Sequence, residues 1–176
     1  SEIDTFARQS YTANFGDPPA GGDITTEPAA AIPAHDLLTA GFPCQPFSAV
    51  GKRKGLDDDR GGLFRHIIRV ARHHRPAVML LENVAGLLTI DEGRTLQTVL
   101  QEVGDAGYCV QHKIINSCLL VPQHRARLYF VCIRSDVAER LLAAATTTAA
   151  ATDTEGNTLQ AAAAGQFQFQ WPVIPD

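Results

Sequence analysis

The sequence predicts an α/β layered domain with a largely parallel sheet, and three observations carry that expectation. HDLLTAG (35–41) and AVMLLENV (77–84) are apolar runs with the length of strands, and both read as buried. Between them, residues 63–74 place apolar side chains at helical spacing. Further segments downstream complete the order strand, helix, strand, helix, strand, strand, which is the alternation of layered α/β domains.

Taken in order, residues 4–15 read as a helix with Phe6, Tyr11 and Phe15 available for packing. PPAGGD (18–23) is a loop. The strand at 35–41 ends in glycine and leads into GFPCQPFS (41–48), where one cysteine stands between two prolines. GKRKGLDDDRGG (51–62) is a charged, glycine-rich segment expected to move. In the helix at 63–74, Leu63, Phe64, Ile67, Ile68 and Ala71 share one face. Arg72, His73 and His74 crowd its end, where cations suit the helix dipole, and Pro76 stops it. The strand at 77–84 is apolar until Glu82 and Asn83, as for a strand covered on both faces. Leu96, Val99, Leu100 and Val103 mark the next helix, with Gly107 beyond it. Residues 108–115 and 127–134 read as two more strands. After Val137 the alanine- and threonine-rich sequence predicts a short helix and then a flexible segment.

A chain of 176 residues suits one domain, and 45% apolar residues are enough for a core. No run approaches the roughly 18 apolar residues of a membrane span. The four cysteines, Cys44, Cys109, Cys118 and Cys132, form no C-x-x-C pair, so free thiols in a reducing, intracellular setting are expected, and no metal site. A net charge of −4 argues against a generally basic nucleic-acid binder. Locally, from Lys52 to Arg75, eight Lys/Arg face three Asp, a balance of +5. The first residue is Ser1 rather than Met, and a piece of a longer protein is expected.

Ligands of doubly wound sheets bind beyond the carboxyl ends of the strands. Here one such end leads to Cys44 and the next carries Glu82 and Asn83, so a thiol and a carboxylate are aimed at one rim. Each has an ordinary explanation by itself: a small buried thiol, a solvated strand-end carboxylate, a basic turn at VPQHRARLYF (121–130). Their order is more informative. GFPCQPFS, then ENV (82–84), then QHRAR (123–127) resembles the cytosine-5 DNA methyltransferase family, in its proline-cysteine, glutamate-asparagine-valine and Q-x-R-x-R motifs. The intervals are 38 residues from Cys44 to Glu82 and 41 from Glu82 to Gln123, and they suit the family.

That resemblance implies a Rossmann-like, S-adenosylmethionine-dependent methyltransferase fold with an incomplete, parallel-rich sheet flanked by helices. The catalytic part would span 1–136, and 137–176 would hold the low-complexity insert and the start of a link to a target-recognition region. Cys44 would add to carbon 6 of cytosine, making carbon 5 enamine-like and able to take a methyl group, with the rigid loop setting the attack geometry. Glu82 would contact or protonate ring nitrogen 3, and Asn83 would hold the active-site geometry. Arg127 would bind the base carbonyl, with Arg125 in support. For S-adenosyl-L-methionine, SEID (1–4) implies Glu2 and Ile3, GDI (22–24) implies Asp23 and Ile24, and RGGLF (60–64) implies Leu63; Phe42 and Pro43 complete that set. Gln45, Ser48, Lys52, Arg53 and Gln123 would contact the substrate. The partner would be double-stranded DNA with the target cytosine flipped out of the stack. FQFQWP (167–172) resembles the stretch before the recognition region. The glycine-rich first motif is expected upstream of Ser1 and the recognition region downstream of Asp176. These 176 residues alone are therefore expected not to methylate DNA, and 35–41 to form an exposed apolar edge. The full-length form is expected to be a monomer, cytoplasmic or nucleoid-associated in a bacterium. Competing expectations are a tRNA cytosine-5 methyltransferase of the same architecture, a non-catalytic remnant or subunit, and a thiol hydrolase using Cys44 with His35 or His124.

Overall fold

The computed structural model describes residues 1–44 and 62–149. Four strands form one sheet: β1 (Leu37–Gly41), β2 (Val78–Val84), β3 (Tyr108–Asn116) and β4 (Ala126–Arg134), in the order β1-β2-β4-β3. Four helices accompany it: α1 (Thr5–Phe15), α2 (Gly62–His74), α3 (Arg94–Asp105) and α4 (Ser135–Ala149). Every element read from the sequence in this range is present.

The sheet is mixed where a parallel-rich one was expected. β1 and β2 run parallel, but β4 is antiparallel to both β2 and β3. The reason is the connection. Only residues 117–125 separate β3 from β4, too few for the crossover that a parallel pair requires, so the chain folds straight back. This reversal brings the start of β4 to the same rim as the end of β2.

The core lies on one face of the sheet. Met79 and Leu81 of β2 and Leu128, Phe130 and Cys132 of β4 form one cluster with Phe64, Ile67, Ile68 and Ala71 of α2 and Val99 and Val103 of α3. Burial holds the Cys132 thiol up at about 12, so it is an inert packing group. Phe130 is fully buried. Phe130→Ala is expected to cost about 3–5 kcal/mol, checked by urea denaturation.

Three burial expectations change. β2 is covered on one face only: Met79, Leu81 and Asn83 are buried, but Leu80 between them is exposed. β1 is an edge strand among the described residues, hydrogen-bonded to β2 alone, and its Leu37 is 56% exposed. That is the exposed apolar edge expected for 35–41. In α2, Leu63 turns outward and Val70 joins the buried face. α1 forms as expected, with the Asp4 side chain accepting from Ala7 N at 2.7 Å and Gly16 ending it at φ 88°. Its aromatic residues do not reach a core, however. Phe6 and Phe15 are largely exposed, and among the described residues Phe15 has Tyr11 as its ring neighbour at 4.6 Å. The glycine-rich segment 51–62 up to Gly61, and everything beyond Ala149, including 167–172, lie outside the described residues.

Candidate active site

Three strand ends meet at one rim. β1 and β2 end there because they are parallel, with Gly41 opposite Glu82, and β4 begins there because it is antiparallel, with Arg127 opposite Val84. Glu82 faces Tyr129 in the ladder, so Arg127 is its diagonal neighbour on the same face, within reach of a long side chain. The contact is made: Arg127 Nε lies 2.9 Å from Glu82 Oε1. Arg127 Nη1 also donates to its neighbour's carbonyl, Ala126 O, at 2.9 Å. Gly41 leaves room for this carboxylate. A Cβ there would stand 3.2 Å from Glu82 Oε2.

The Cys44 loop is fixed two residues earlier. Phe42 N donates to Glu82 O at 3.3 Å, and Asn83 Nδ2 donates to Phe42 O at 3.0 Å. Asn83 Oδ1 in turn accepts from Val84 N at 2.8 Å. The Phe42 ring is buried between Phe64, at 4.9 Å, and Phe130, at 6.3 Å. Backbone and side chain of Phe42 are thus both clamped, and half-buried Cys44 packs against the same core. Asn83 is 2% exposed, so its amide is fully committed to this anchor. Asn83→Ala would leave Phe42 O without its buried donor. The expected loss is about 1–3 kcal/mol of stability, measured by thermal unfolding.

Beside this rim lies a cleft of about 670 Å³. Glu2, Ile3, Asp23, Ile24 and Leu63 line it. Phe42 and Pro43 do not; Phe42 is in the core and Pro43 is exposed. The two carboxylates are held by local donors. Glu2 Oε1 accepts from Asp4 N at 2.8 Å, and Asp23 Oδ1 accepts from Thr25 Oγ1 at 2.7 Å and Thr25 N at 2.9 Å. The Thr25 hydroxyl, then its N–H, holds the Asp23 carboxyl below the usual range. Fixed carboxylates beside Ile3, Ile24 and Leu63 fit a nucleoside, with acceptors for hydroxyl or amine groups and apolar walls for a base. Buried His35 Nε2 in the lining has no hydrogen-bond partner among the described residues, which leaves a polar atom for a ligand to satisfy.

Several contributors escaped the sequence reading. Arg8 Nη1 donates to Glu2 O at 2.8 Å and Gly21 O at 2.9 Å, stapling the chain start to the 19–21 turn. A Cβ at Gly21 would meet Glu27 Oε2 at 2.5 Å, so any side chain there would push the Glu27 carboxylate aside. From α2, Arg69 Nη2 donates to Ile24 O at 2.7 Å, and His74 Nε2 donates to Ala29 O at 2.7 Å. These bonds hold the Asp23–Ala31 stretch against α2. Arg69→Met is expected to weaken binding of a nucleoside cofactor analogue about tenfold, a loss of one charge-assisted bond, read by calorimetry.

Gln123 and Arg125 are exposed on the 117–125 loop. Gln45, Ser48, Lys52 and Arg53 lie outside the described residues. Among the described residues, no group of three or more His, Cys, Asp or Glu is placed to hold a metal, and no helix is long and apolar enough to cross a membrane.

An anchored loop carrying Cys44, a carboxylate–guanidinium pair and a cleft of nucleoside size share one end of a Rossmann-like sheet, the layout of a group-transfer fold. Known proteins narrow the class. The C-5 cytosine-specific DNA methylase family model matches residues 1–167, and the chain belongs to that family. The type II methyltransferase M.DsaV of Dactylococcopsis salina is 48% identical over 132 residues, which are 74% of this chain and 37% of the relative. M.HhaI of Haemophilus parahaemolyticus is 42% identical over 138 residues, 78% of this chain and 42% of the relative. The chain thus spans about two fifths of the curated relatives it matches. Among solved structures, the S. pombe Dnmt2 methyltransferase superposes with a TM-score of 0.57 at 28% identity, covering 76% of this chain and 42% of that one.

Proposed function

We propose that the full-length protein carrying this chain is a DNA (cytosine-5-)-methyltransferase that uses S-adenosyl-L-methionine. The Glu82–Arg127 contact at 2.9 Å beside the clamped Cys44 loop is the observation that carries this reading. The cofactor, when bound, supplies a methyl group on a sulfonium centre. Glu2, Ile3, Asp23, Ile24 and Leu63 would hold it, while Phe42, packed in the core, would act by anchoring the loop that carries Pro43 and Cys44.

Cys44 adds its sulfur to carbon 6 of a cytosine flipped out of duplex DNA. The displaced electron pair reaches carbon 5 as an enamine. Glu82 meets ring nitrogen 3 and draws charge towards it as the thiolate adds. Arg127 donates to the base carbonyl and keeps Glu82 aimed, while Asn83 holds the Cys44 loop still. After methylation, loss of the carbon 5 proton expels the thiolate and restores the ring. Gln45, Ser48, Lys52, Arg53 and Gln123 would contact the DNA, and Arg125 would support them. In this reading residues 1–136 form the catalytic part and 137–176 lead towards target recognition. The full-length protein would be a monomer working in the cytoplasm or on the nucleoid.

The test supplies full-length protein with radiolabelled methyl donor and, separately, duplex DNA or tRNA. Label on cytosine carbon 5 of DNA supports the reading. Label on tRNA alone replaces DNA by RNA as substrate, and no label on either sinks it. The 176-residue chain by itself is expected to transfer none.

A further inference from the structure

The loop between β3 and β4 is closed by two residues to which no role has been given. Asn116 ends β3, opposite Ala126 at the start of β4. Its Oδ1 accepts from Cys118 N at 3.3 Å and from Arg125 N at 3.0 Å. Two backbone donors on one atom fix which end of the amide is oxygen. The other end, Nδ2, therefore donates to His124 Nε2, 2.9 Å away. Ser117 adds two bonds: its Oγ donates to Gln123 O at 2.6 Å, and its N donates to Arg125 O at 3.2 Å.

Together, Asn116 and Ser117 engage three consecutive residues, Gln123, His124 and Arg125. These bonds engage the carbonyl of Gln123 and both backbone groups of Arg125, and Gln123 N donates to Val121 O at 2.7 Å, while both side chains stay exposed. That is the arrangement expected of a segment that must present side chains to a partner without first paying to order its own backbone. Two residues on, the same segment delivers Arg127 to Glu82.

We infer that Asn116 and Ser117 are positioning residues that pre-form the backbone of 123–125 so that Gln123 and Arg125 meet the DNA in a fixed register. The inference rests on the DNA reading above. It assigns neither residue a contact with base or cofactor; both act through the loop. DNA affinity should depend on them, and the chemical step and the cofactor cleft should not.

The experiment uses the full-length protein with Asn116→Ala, Ser117→Ala and Ser117→Thr. Asn116→Ala removes three bonds at the loop base, and KM for duplex DNA is expected to rise about tenfold, with kcat within about threefold of wild type. Dissociation of S-adenosylhomocysteine should be unchanged. Ser117→Ala should shift KM the same way by less, and Ser117→Thr, which keeps the hydroxyl, should restore it. Amide exchange at Cys118 and Arg125 should accelerate in Asn116→Ala, whatever the substrate is. A KM for DNA within twofold of wild type overturns the inference. So does a parallel loss of S-adenosylhomocysteine binding, which would mark a general structural defect. Should Asn116→Ala fail to fold, the Ser117 pair decides alone, by restoration with threonine or its absence. A wild type that ignores duplex DNA removes the substrate reading and this inference with it, whereas normal wild-type methylation beside unmoved exchange rates sinks this inference alone.

Discussion

Cys44→Ala in the full-length protein removes methyl transfer to cytosine, by at least about 10³-fold in kcat, because no other step can raise the electron density at carbon 5. Binding of S-adenosylhomocysteine should persist, since Cys44 does not line the nucleoside cleft. A second readout isolates the bond itself. Duplex DNA with fluorine on carbon 5 of the target cytosine can accept sulfur at carbon 6 and methyl at carbon 5, but it has no proton there to lose. Wild-type protein should stay attached to that DNA through denaturing electrophoresis, and Cys44→Ala should not. Cys44→Ser should resemble alanine in this assay, because a hydroxyl is a far poorer nucleophile than a thiolate at neutral pH. Attachment that survives in Cys44→Ala would show that another group forms the adduct, and the proposed role of Cys44 would fall.

The motif order pointed to this nucleophile, but its support was only partly legible. Glu82 and Asn83 could be placed at a strand end because an apolar run that closes on a carboxylate and an amide is a poor packing choice. What Asn83 does there is visible only in three dimensions, since its partner, Phe42 O, is 41 residues away in sequence. Arg8, Arg69, His74 and Asn116 were missed for a related reason. Each acts on a backbone carbonyl or N–H, and backbone partners leave no mark in sequence. Gly21 was half legible: PPAGGD reads as a loop, but the close approach of Glu27 to that glycine is seen only in the fold. Burial depends on position in the sheet. HDLLTAG has the composition of an inner strand, and among the described residues it is the exposed edge expected for 35–41. AVMLLENV reads as doubly covered, but Leu80 is 39% exposed on the face opposite Met79 and Leu81. Composition reports that a segment can be buried, and only topology decides which of its faces is.

Arg127→Ala and Glu82→Gln separate catalysis from stability at one ion pair. The side chains are 22% and 34% exposed respectively, so solvent screens the contact, and each substitution should cost less than about 1 kcal/mol of folding free energy. The expected loss in kcat/KM is much larger, about 10²–10³-fold for either, because a group placed against the reacting base acts on the transition state rather than on the resting fold. The double variant carries the stronger test. Arg127 holds Glu82 at 2.9 Å, so part of what Arg127→Ala removes is the aim of Glu82. Once Glu82 is glutamine, that part is already lost. The double variant should therefore fall short of the product of the two single losses by about tenfold, a coupling of about 1.4 kcal/mol in the transition state. Strict multiplication of the two losses would mean that Arg127 and Glu82 act on the base independently and that their contact is only a resting-state pair. An equal drop in melting temperature and activity would assign the pair to the fold. The prediction is that melting temperature barely moves while kcat/KM collapses, because the rim where β2 ends and β4 begins is held by Asn83 and Phe42 on the core face, leaving Glu82 and Arg127 on the opposite face free to serve the chemistry.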